Sequence, residues 1–500
     1  MTTLFLLAPL AVPALGALIY AVLGWRPATA WVSAASAALM LASAITVAVS
    51  VVGSGPHTAV GGLLRVDAVS AFMLIVIGAV ALLATTATPA YLTAEIAAGR
   101  ATARTARWHS VLVQLFLAAM ALAVLAANLG VVWVAIEATT IVTAFLVGQR
   151  RTRAAVEAAW KYVVICSAGI ALALLGAILL NYASQQAPGT GGLDLAALAA
   201  NAHHLDPAVT RIAVALLILG FGTKAGLAPL HAWLPDAHSQ APAPVSALMS
   251  GVLLSVAFYA ILRVKVIADA ALGPEFARTV LIVMAIASLL LAATLLVAQR
   301  DYKRMLAYSS IEHLGLVALG AAIGSPLALA AILLHILGHG LAKAVLFLGA
   351  GRILQATGTS RIDKVRGLAA GHPVLAGSVG LGVLALLGLP PFSLFASELG
   401  IARAGFAAGL GWVTTTAMVL AVVLVLVIAA ALVGHTSRML LGTPPEPTEG
   451  PGAAIAPRRL PASTALALGA GLAVCAVLGI TAGPLSSLLH AAADTLLGPQ

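Results

Sequence analysis

Long apolar runs follow one another along the whole chain, and short polar stretches separate them. A run of about 20 apolar residues has the length that a helix needs to cross the hydrocarbon of a bilayer. Strands of a membrane barrel would alternate apolar and polar positions over about ten residues, and these runs show no such alternation. The pattern therefore predicts an all-α polytopic membrane protein with about 14 transmembrane helices. The predicted spans lie near 3–24, 29–53, 68–90, 109–127, 131–148, 155–181, 209–227, 242–263, 276–299, 305–324, 326–350, 373–400, 411–434 and 463–490.

Four polar connections are longer than the others: 91–108, 182–208, 351–372 and 435–462. The last is rich in Pro and Gly, which predicts a flexible loop. The stretch 228–241 is interpreted as a broken or re-entrant piece that completes the seventh span. The first apolar run lacks the basic leader of a secretory signal, so we interpret it as a span.

Composition supports this class and excludes others. The chain is 62% hydrophobic and 8% charged, whereas soluble domains carry about 25% charged residues. Cys166 and Cys475 both fall within apolar runs, which supports neither a disulfide framework nor a Cys-ligated cluster. The sequence has no Gly-rich nucleotide loop either, so we expect no bound cofactor. We also expect no nucleic-acid partner, because basic loops in a polytopic membrane protein report its topology.

Lys and Arg are distributed unevenly between alternate loops. Of the 26, 17 fall after odd-numbered spans, among them Lys303 and Arg304, and six fall on the opposite side, among them Arg263 and Lys265. Because basic loops are retained in the cytoplasm, we expect the 17 to be cytoplasmic and both termini to lie outside. The formal charge of +10 is thus interpreted as a topology signal.

Three lysines remain, and each falls within a predicted span: Lys161, Lys224 and Lys343. An ammonium group near the bilayer centre costs roughly 2.5–3.5 kcal/mol on insertion scales. Lys224 precedes Pro229 and Pro235, which break a helix. A buried lysine beside a broken helix indicates ion handling within the membrane.

Carboxylates and imidazoles accompany these lysines. Glu137 lies within the fifth span, and Glu398 follows the break at Pro390–Pro391 in the twelfth. Glu312 and His313 belong to the polar segment of the tenth span.

His335, His339 and Lys343 are spaced i, i+4, i+8, so they share one face of the eleventh span. His titrates near neutral pH, and burial shifts Lys and carboxyl groups toward that range. We interpret the set as a row of groups for proton transfer, bridged by water.

Some of these residues have simpler interpretations. Lys161 follows Glu157 by four residues, so its role can be limited to an ion pair with Glu157 on one helix face near the membrane surface. In the simpler interpretation of His231 and His238, these histidines only donate hydrogen bonds to the backbone carbonyl groups that the broken helix leaves free. Lys224 and Glu398 are, on this view, only helix-packing groups.

Two further interpretations concern a metal and a loop. His335 and His339 have a spacing that can bind zinc, but the motif lacks the acid of a zincin and spacing places no third ligand, so no metal site is expected. The cluster of Asp301, Lys303 and Arg304 is interpreted as a cytoplasmic loop.

The broken spans occur twice, five spans apart. The same offset relates Lys161 to Lys343, and Glu137 to the Glu312–His313 pair. Spans 4–8 and 9–13 are therefore interpreted as two five-helix repeats, which must be inverted because five is odd. The predicted divisions are 1–108 (spans 1–3 and an amphipathic loop), 109–265 and 266–435 (the two repeats), and 436–500 (a loop and span 14).

These segments resemble the antiporter-like subunits of respiratory complex I and of multisubunit Na+/H+ antiporters. The similarity covers roughly 65–435 and rests on "KAGLAPLHAWLPDAHSQAPAPVSALMSG" (224–251), "RDYKRMLAYSSIEHLG" (300–315), "HILGHGLAKAVLFLGAG" (335–351) and "GLPPFSLFASELGI" (388–401). The forms "SSIEH", "NLGVVWVAIEATT" and "PPFSLFASE" are most similar to hydrogenase-4 component F.

The resemblance implies a fourteen-helix proton-translocating subunit. It implies that Glu137 and Lys224 are the charged pair of a first half-channel, in which Lys224 pumps and Glu137 modulates its pKa. His231 and His238 would lie on the path at the broken helix. The central and second-half relay would use Lys343, His335 and His339, with Lys161 and His313 as further candidates, and Glu398 would exchange protons with the outside.

One position departs from the pattern of the complex I relatives. They often carry a Lys in span eight, where this chain has Ser255. Serine does not titrate, so the step from Lys224 to the centre would depend on water or on His residues.

The resulting hypothesis is a proton-translocating subunit of a redox-driven complex in a prokaryotic plasma membrane, of the hydrogenase-4 or formate hydrogenlyase type. It would bind no cofactor or metal, and partner membrane subunits with a hydrogenase or quinone-reductase module would carry the electrons. The alternatives are a cation/proton antiporter subunit, a quinone oxidoreductase chain M/N-like subunit, a channel-like module for bicarbonate or carbon dioxide uptake, and a passive anchor for a redox enzyme.

Overall fold

The computed structural model describes residues 2–188, 191–443 and 459–498. Within these residues the chain is almost entirely helical, and 13 helices are long and apolar enough to cross a membrane. The predicted twelfth span, which completes the set of 14, is present as two shorter helices with a break between them. The prediction of an all-α polytopic membrane protein is confirmed.

The first unit contains three spans and a hairpin. The helices are α1 (Thr2–Leu23), α2 (Val32–Ser54) and α3 (Ala68–Ala97). Between the last two, β1 (His57–Ala59) pairs antiparallel with β2 (Leu64–Val66). The sequence pattern did not reveal this hairpin, because strands of three residues are too short to show an alternation.

Spans four to eight follow. They are α4 (Ala103–Leu125), α5 (Leu129–Val147), α6 (Arg153–Gln186), α8 (Pro207–Ala225) with α9 (Trp233–Gln240), and α10 (Ala243–Leu248) continued by a π-helical segment (Met249–Leu253) and α11 (Leu254–Leu272). The side chains of Thr102, Asn128, Thr152 and Asp206 cap the starts of α4, α5, α6 and α8 by accepting backbone N–H bonds. These are the residue types that satisfy the free donors of a helix N-terminus.

The remaining spans complete the bundle. They are α12 (Pro274–Val297), α13 (Tyr302–Ile323), α14 (Pro326–Thr357), α16 (Pro373–Leu386) with α17 (Ser393–Ala407), α18 (Trp412–Leu441) and α19 (Ala462–Ile480). Two short helices, α7 (Leu195–Ala200) and α15 (Leu368–Gly371), lie in connecting segments.

The C-terminal region differs from the prediction in two ways. The predicted loop 435–462 begins as helix, because α18 continues to Leu441; residues 444–458 of that loop lie outside the described residues. The predicted fourteenth span ends at Ile480, and a separate helix, α20 (Gly483–Leu497), then packs against α3 and α14.

The seventh and twelfth spans are broken, as predicted. Gly226 ends α8 in the left-handed conformation (φ 79°), and Gly388 has the same conformation (φ 61°) after α16. Glycine reaches this conformation without the steric cost that a Cβ imposes. Each break leaves backbone groups without helical partners, which makes these positions suitable for polar contacts inside the bundle.

Spans eight, ten and eleven form the centre of the molecule. The most apolar stretch of each is completely buried, as expected for helices that are apolar on every side. Where α14 crosses the π-helical segment, a Cβ on Gly340 would come within 2.8 Å of the Gly251 carbonyl oxygen, so glycine permits the close crossing. Lys343, His335 and His339, the residues of the predicted second-half relay, lie on α14 in this centre.

Three basic residues predicted to lie in loops belong to helices instead, where Lys265 and Lys303 are buried and Arg263 is largely buried. Arg263 and Lys265 belong to α11, where they form ion pairs with Asp67 and Asp269, and Lys303 belongs to α13. The loop interpretation of these residues was wrong because α11 extends to Leu272 and α13 begins at Tyr302.

Candidate functional site

Lys224 is completely buried in the last turn of α8. Its Nζ donates hydrogen bonds to Thr140 Oγ1 at 2.9 Å and to the hydroxyl of Tyr162. It also lies 4.5 Å from the centre of the Tyr162 ring and 6.0 Å from that of Trp233. Hydroxyl oxygens and aromatic faces therefore surround the ammonium group, and both stabilise a buried cation.

Glu137 lies on α5 three residues before Thr140, on the same helix face. Ser167 Oγ donates to its Oε1 at 3.3 Å. Its buried Oε2 has no hydrogen-bond partner among the described residues, and no direct ion pair joins it to Lys224 there. Glu137 therefore lies one turn along α5 from the threonine that accepts from Lys224.

Lys161 lies at the edge of this region. Its side chain is 48% exposed and forms ion pairs with Glu157 (2.7 Å) and with Asp236 of the broken segment (3.2 Å). Arg304 binds the other oxygen of Asp236 at 3.1 Å. Lys161 is therefore close to the loops after odd-numbered spans, and the structure does not bring it into contact with Lys224.

The two histidines of the broken segment occupy different environments. His231 is half-buried in the turn before α9, and its Nδ1 has no partner among the residues described. His238 is completely buried, and both of its ring nitrogens lack partners there. Its ring stacks on Phe347 of α14 with centroids 5.3 Å apart and lies 6.4 Å from that of Trp233. His238 therefore lies between the surroundings of Lys224 and the central helix α14.

Ser255 is buried in the first turn of α11, two residues after the π-helical segment ends. Its Oγ has no hydrogen-bond partner among the described residues. Close by, Ser250 of the same segment bonds to Ser310 of α13 at 2.8 Å. This part of span eight therefore supplies hydroxyl groups to the interior of the bundle, and π-bulges are frequent at functional sites.

Lys343 is completely buried on α14. Its Nζ donates to Ser309 Oγ at 2.5 Å and to the Leu306 carbonyl oxygen at 2.6 Å, both on α13. Lys343 precedes Phe347 by one turn of α14. The ring of His238, which stacks on Phe347, therefore contacts α14 one turn from Lys343.

Three imidazoles continue from Lys343 along the centre. The rings of His339 and His313 are 5.1 Å apart, and His313 Nδ1 lies 3.0 Å from His335 Nε2. His335 Nδ1 lies 3.0 Å from Ser397 Oγ on α17. The predicted i, i+4 pair on α14 therefore contacts a third histidine of α13, and the row ends at the second broken span.

Glu398 follows Ser397 directly. It is partly buried, and its carboxylate lies against Gly388, where an added Cβ would collide with it. One nitrogen of His313, one of His335 and one carboxylate oxygen of Glu398 all lie within 4.8 Å of one another. Glu312 is buried beside this group, and its Oε2 has no partner among the described residues.

Sequence reasoning missed two kinds of residue. Thr140 and Tyr162 contact Lys224 directly, but hydroxyl side chains are common in apolar helices and carry no distinctive spacing. Lys303 donates to the carbonyl oxygens of Ser239 and Ala241 at 2.8 Å each and so holds the C-terminal end of α9. Its position next to Asp301 resembled an ordinary loop charge.

The fold and the site define a class. This is a many-span membrane protein with two broken helices and a row of buried ionisable groups between them. Residues 126–424 match the family model described as NADH:quinone oxidoreductase/Mrp antiporter, transmembrane. The chain belongs to this family.

Individual relatives agree with this assignment. A hydrogenase-4 component F homolog of Methylacidiphilum infernorum is 41% identical over 63% of this chain and 67% of its own length. NADH-quinone oxidoreductase subunit N of Desulforudis audaxviator is 40% identical over 51% of this chain, which spans only half of that relative. Among solved structures, a chain of an archaeal membrane-bound sulfane sulfur reductase superimposes with a TM-score of 0.84 at 25% identity, covering 99% of this chain and 98% of that one.

Proposed function

We propose that this chain is the proton-translocating membrane subunit of a redox-driven complex of the hydrogenase-4 type. The observation that carries the proposal is the row of buried ionisable groups from Glu137 to Glu398. The row crosses both broken spans through Lys224, His238, Lys343, His339, His313 and His335.

The unpartnered atoms of this row support proton transfer. Glu137, His238, Ser255, His313 and His339 each have a buried polar atom without a partner among the described residues. Buried polar groups are rarely left unpaired, and internal water molecules commonly supply the missing bonds. Water at these positions would join the side chains into a continuous hydrogen-bonded route.

The proposed route has two halves and a junction. Lys224 and Glu137 form the first half, and Lys343 with the three imidazoles and Glu398 forms the second. His231 lies at the first broken helix, and His238 forms the junction, because its ring touches the residue one turn from Lys343. Lys161 would have at most an entry role at the edge.

The rest of the complex would supply the energy. Relatives include a hydrogenase-4 component F homolog and a quinone oxidoreductase subunit, so we propose further membrane subunits and a hydrogenase or quinone-reductase module as partners. We also propose a prokaryotic plasma membrane, with the basic loops in the cytoplasm and both termini outside. The two repeats over 109–265 and 266–435 remain part of the proposal.

The test uses the intact complex in proteoliposomes with a pH-sensitive dye inside. Electron transfer is started with reduced methyl viologen and followed separately. Lys224→Ala should abolish proton movement while electron transfer continues at a measurable rate. The matched control is Lys364→Ala, at an exposed loop position, which should behave as wild type. Wild-type pumping by the Lys224→Ala complex would overturn the proposal and favour a passive anchor.

A cation/proton antiporter subunit is the second candidate, because the family model also covers Mrp antiporters. It predicts proton release from acid-loaded vesicles on addition of Na+ without any electron donor. The same vesicles without Na+ provide the control, and K+ at equal concentration tests which cation is used.

A further inference from the structure

Three helices converge where the second half of the row ends. His313 lies on α13, His335 on α14 and Glu398 on α17. One potential ligand atom from each lies within 4.8 Å of the other two. Two imidazoles and a carboxylate from separate helices therefore face one small volume.

The donor set suits a zinc ion. Zn²⁺ takes imidazole nitrogen and carboxylate oxygen in tetrahedral geometry, with bonds of about 2.0–2.1 Å that place its ligand atoms about 3.3 Å apart. The nitrogens of His313 and His335 are 3.0 Å apart, so they nearly have this spacing. The Glu398 oxygen would have to approach by about 1.5 Å to reach that same spacing, which rotation of a partly exposed side chain allows.

The surroundings of His335 are those of a metal ligand. Its second ring nitrogen lies 3.0 Å from Ser397 Oγ. Ligating histidines usually bond through the nitrogen that does not bind the metal, and this bond fixes the orientation of the ring. The hydroxyl of Ser397 provides such a bond before any metal arrives.

The local charges suit a divalent cation. Glu398 supplies one carboxylate, and the buried Glu312 interacts electrostatically with it. Lys343 is the nearest ammonium in the row, but its bonds run to Leu306 and Ser309. Two carboxylates can thus balance the charge of Zn²⁺ inside the bundle.

The second broken span brings one of the three ligands to partial exposure. Glu398 is partly exposed and follows the break between α16 and α17. Because α16 begins next to the basic loops, α17 leads from the break to the opposite end of the bundle. The ligands would then be reached from that opposite end.

We propose that His313, His335 and Glu398 bind one exchangeable Zn²⁺ ion. The bound ion blocks proton transfer at the Glu398 end of the row of ionisable groups. The ion is a reversible blocker and not a resident cofactor. Binding follows from the ligand geometry alone, whereas the effect on proton movement rests on the proposed function.

The binding experiment uses the intact complex freed of metal with a chelator and equilibrated with zinc chloride. Bound zinc is counted, and its ligands are identified by X-ray absorption. Glu398→Gln and His335→Gln should each lose one equivalent of tightly bound zinc. His435→Gln is the matched control, because His435 of α18 bonds to the Leu296 carbonyl oxygen of α12 and is not part of the cluster; this variant should bind as much zinc as wild type.

A second pair of variants guards against failure to fold. His335→Cys and Glu398→His replace one zinc ligand by another and should keep the equivalent of zinc, with sulfur appearing in the absorption spectrum of the former. The proposal is overturned if Glu398→Gln and His335→Gln bind as much zinc as wild type, or if the spectrum of wild type shows no histidine ligand.

The two proposals fail in different ways. Zinc that disappears from the variants while metal-free wild type moves no protons would leave the metal site standing and reject the proposed function. Unchanged zinc content in variants that no longer move protons would reject the metal site and leave the proposed function standing. If both proposals hold, zinc added on the Glu398 side of wild-type vesicles slows proton movement.

Discussion

Lys224 Nζ donates a hydrogen bond to Thr140 Oγ1 at 2.9 Å, and Thr140 lies one turn from Glu137 on the same helix. The ammonium group is thus held by the hydroxyl oxygens of Thr140 and Tyr162. The Glu137 carboxylate instead accepts a hydrogen bond from Ser167. Both charged groups belong to the first half of the proposed route.

Tyr162→Phe should slow proton translocation, because it removes a hydroxyl that accepts from Lys224 and also bonds to Thr143 at 2.6 Å. A hydrogen bond to a charged group contributes about 1.5–3 kcal/mol, so we expect a decrease of about tenfold or more. The aromatic ring remains, and the melting temperature of the complex should change little. Tyr182→Phe, at an exposed position of the same helix, is the control; equal rates in the two variants would argue against a role for the Tyr162 hydroxyl.

His238→Leu should interrupt the junction between the halves. The substitution keeps an apolar side chain against Phe347 but removes both ring nitrogens. A positioned proton donor or acceptor contributes about 100-fold or more to a transfer step, and we expect a loss of that order in proton translocation. His204→Leu, in an exposed connecting segment, should have no effect. Pumping by His238→Leu at the control rate would show that protons bypass this imidazole.

Lys161→Ala separates two interpretations of this residue. Exposed ion pairs contribute little to stability, and Lys161 is half-exposed between Glu157 and Asp236. We therefore expect a much smaller decrease in translocation than for Lys224→Ala under the same conditions. Equally large losses in both variants would instead make Lys161 an obligatory part of the route.

Asp67→Asn should destabilise the bundle. Asp67 forms an ion pair with Arg263, and both side chains are largely buried; leaving one buried charge unpaired costs about 3–5 kcal/mol. Asn still caps α3 through its side-chain oxygen, so the variant isolates the ion pair. We expect a clearly lower melting temperature of the complex. Asp363→Asn, which breaks the exposed pair with Arg361, should leave it unchanged, and equal melting temperatures in the two variants would contradict the prediction.

The spans were predictable because the bilayer imposes one length and one composition on every crossing helix. For the same reason, prolines and glycines that interrupt such a run marked both breaks. Element ends were less predictable: α11 and α13 extend into stretches that carry charges, so Arg263, Lys265 and Lys303 were assigned to loops. Charge alone does not reveal burial when a partner such as Asp67 lies almost 200 residues away in the sequence.

The sequence by itself determined that this chain crosses a membrane many times, where its helices break, and that Lys224, Lys343 and the histidines of α14 lie inside the spans. Those features depend on local composition and on the cost of charge in hydrocarbon. Only the tertiary structure decided which of these residues meet. It placed Tyr162 and Thr140 against Lys224, His238 against α14, and His313 against His335. Contacts between helices far apart in the chain depend on how the helices pack, and no local sequence pattern encodes that packing.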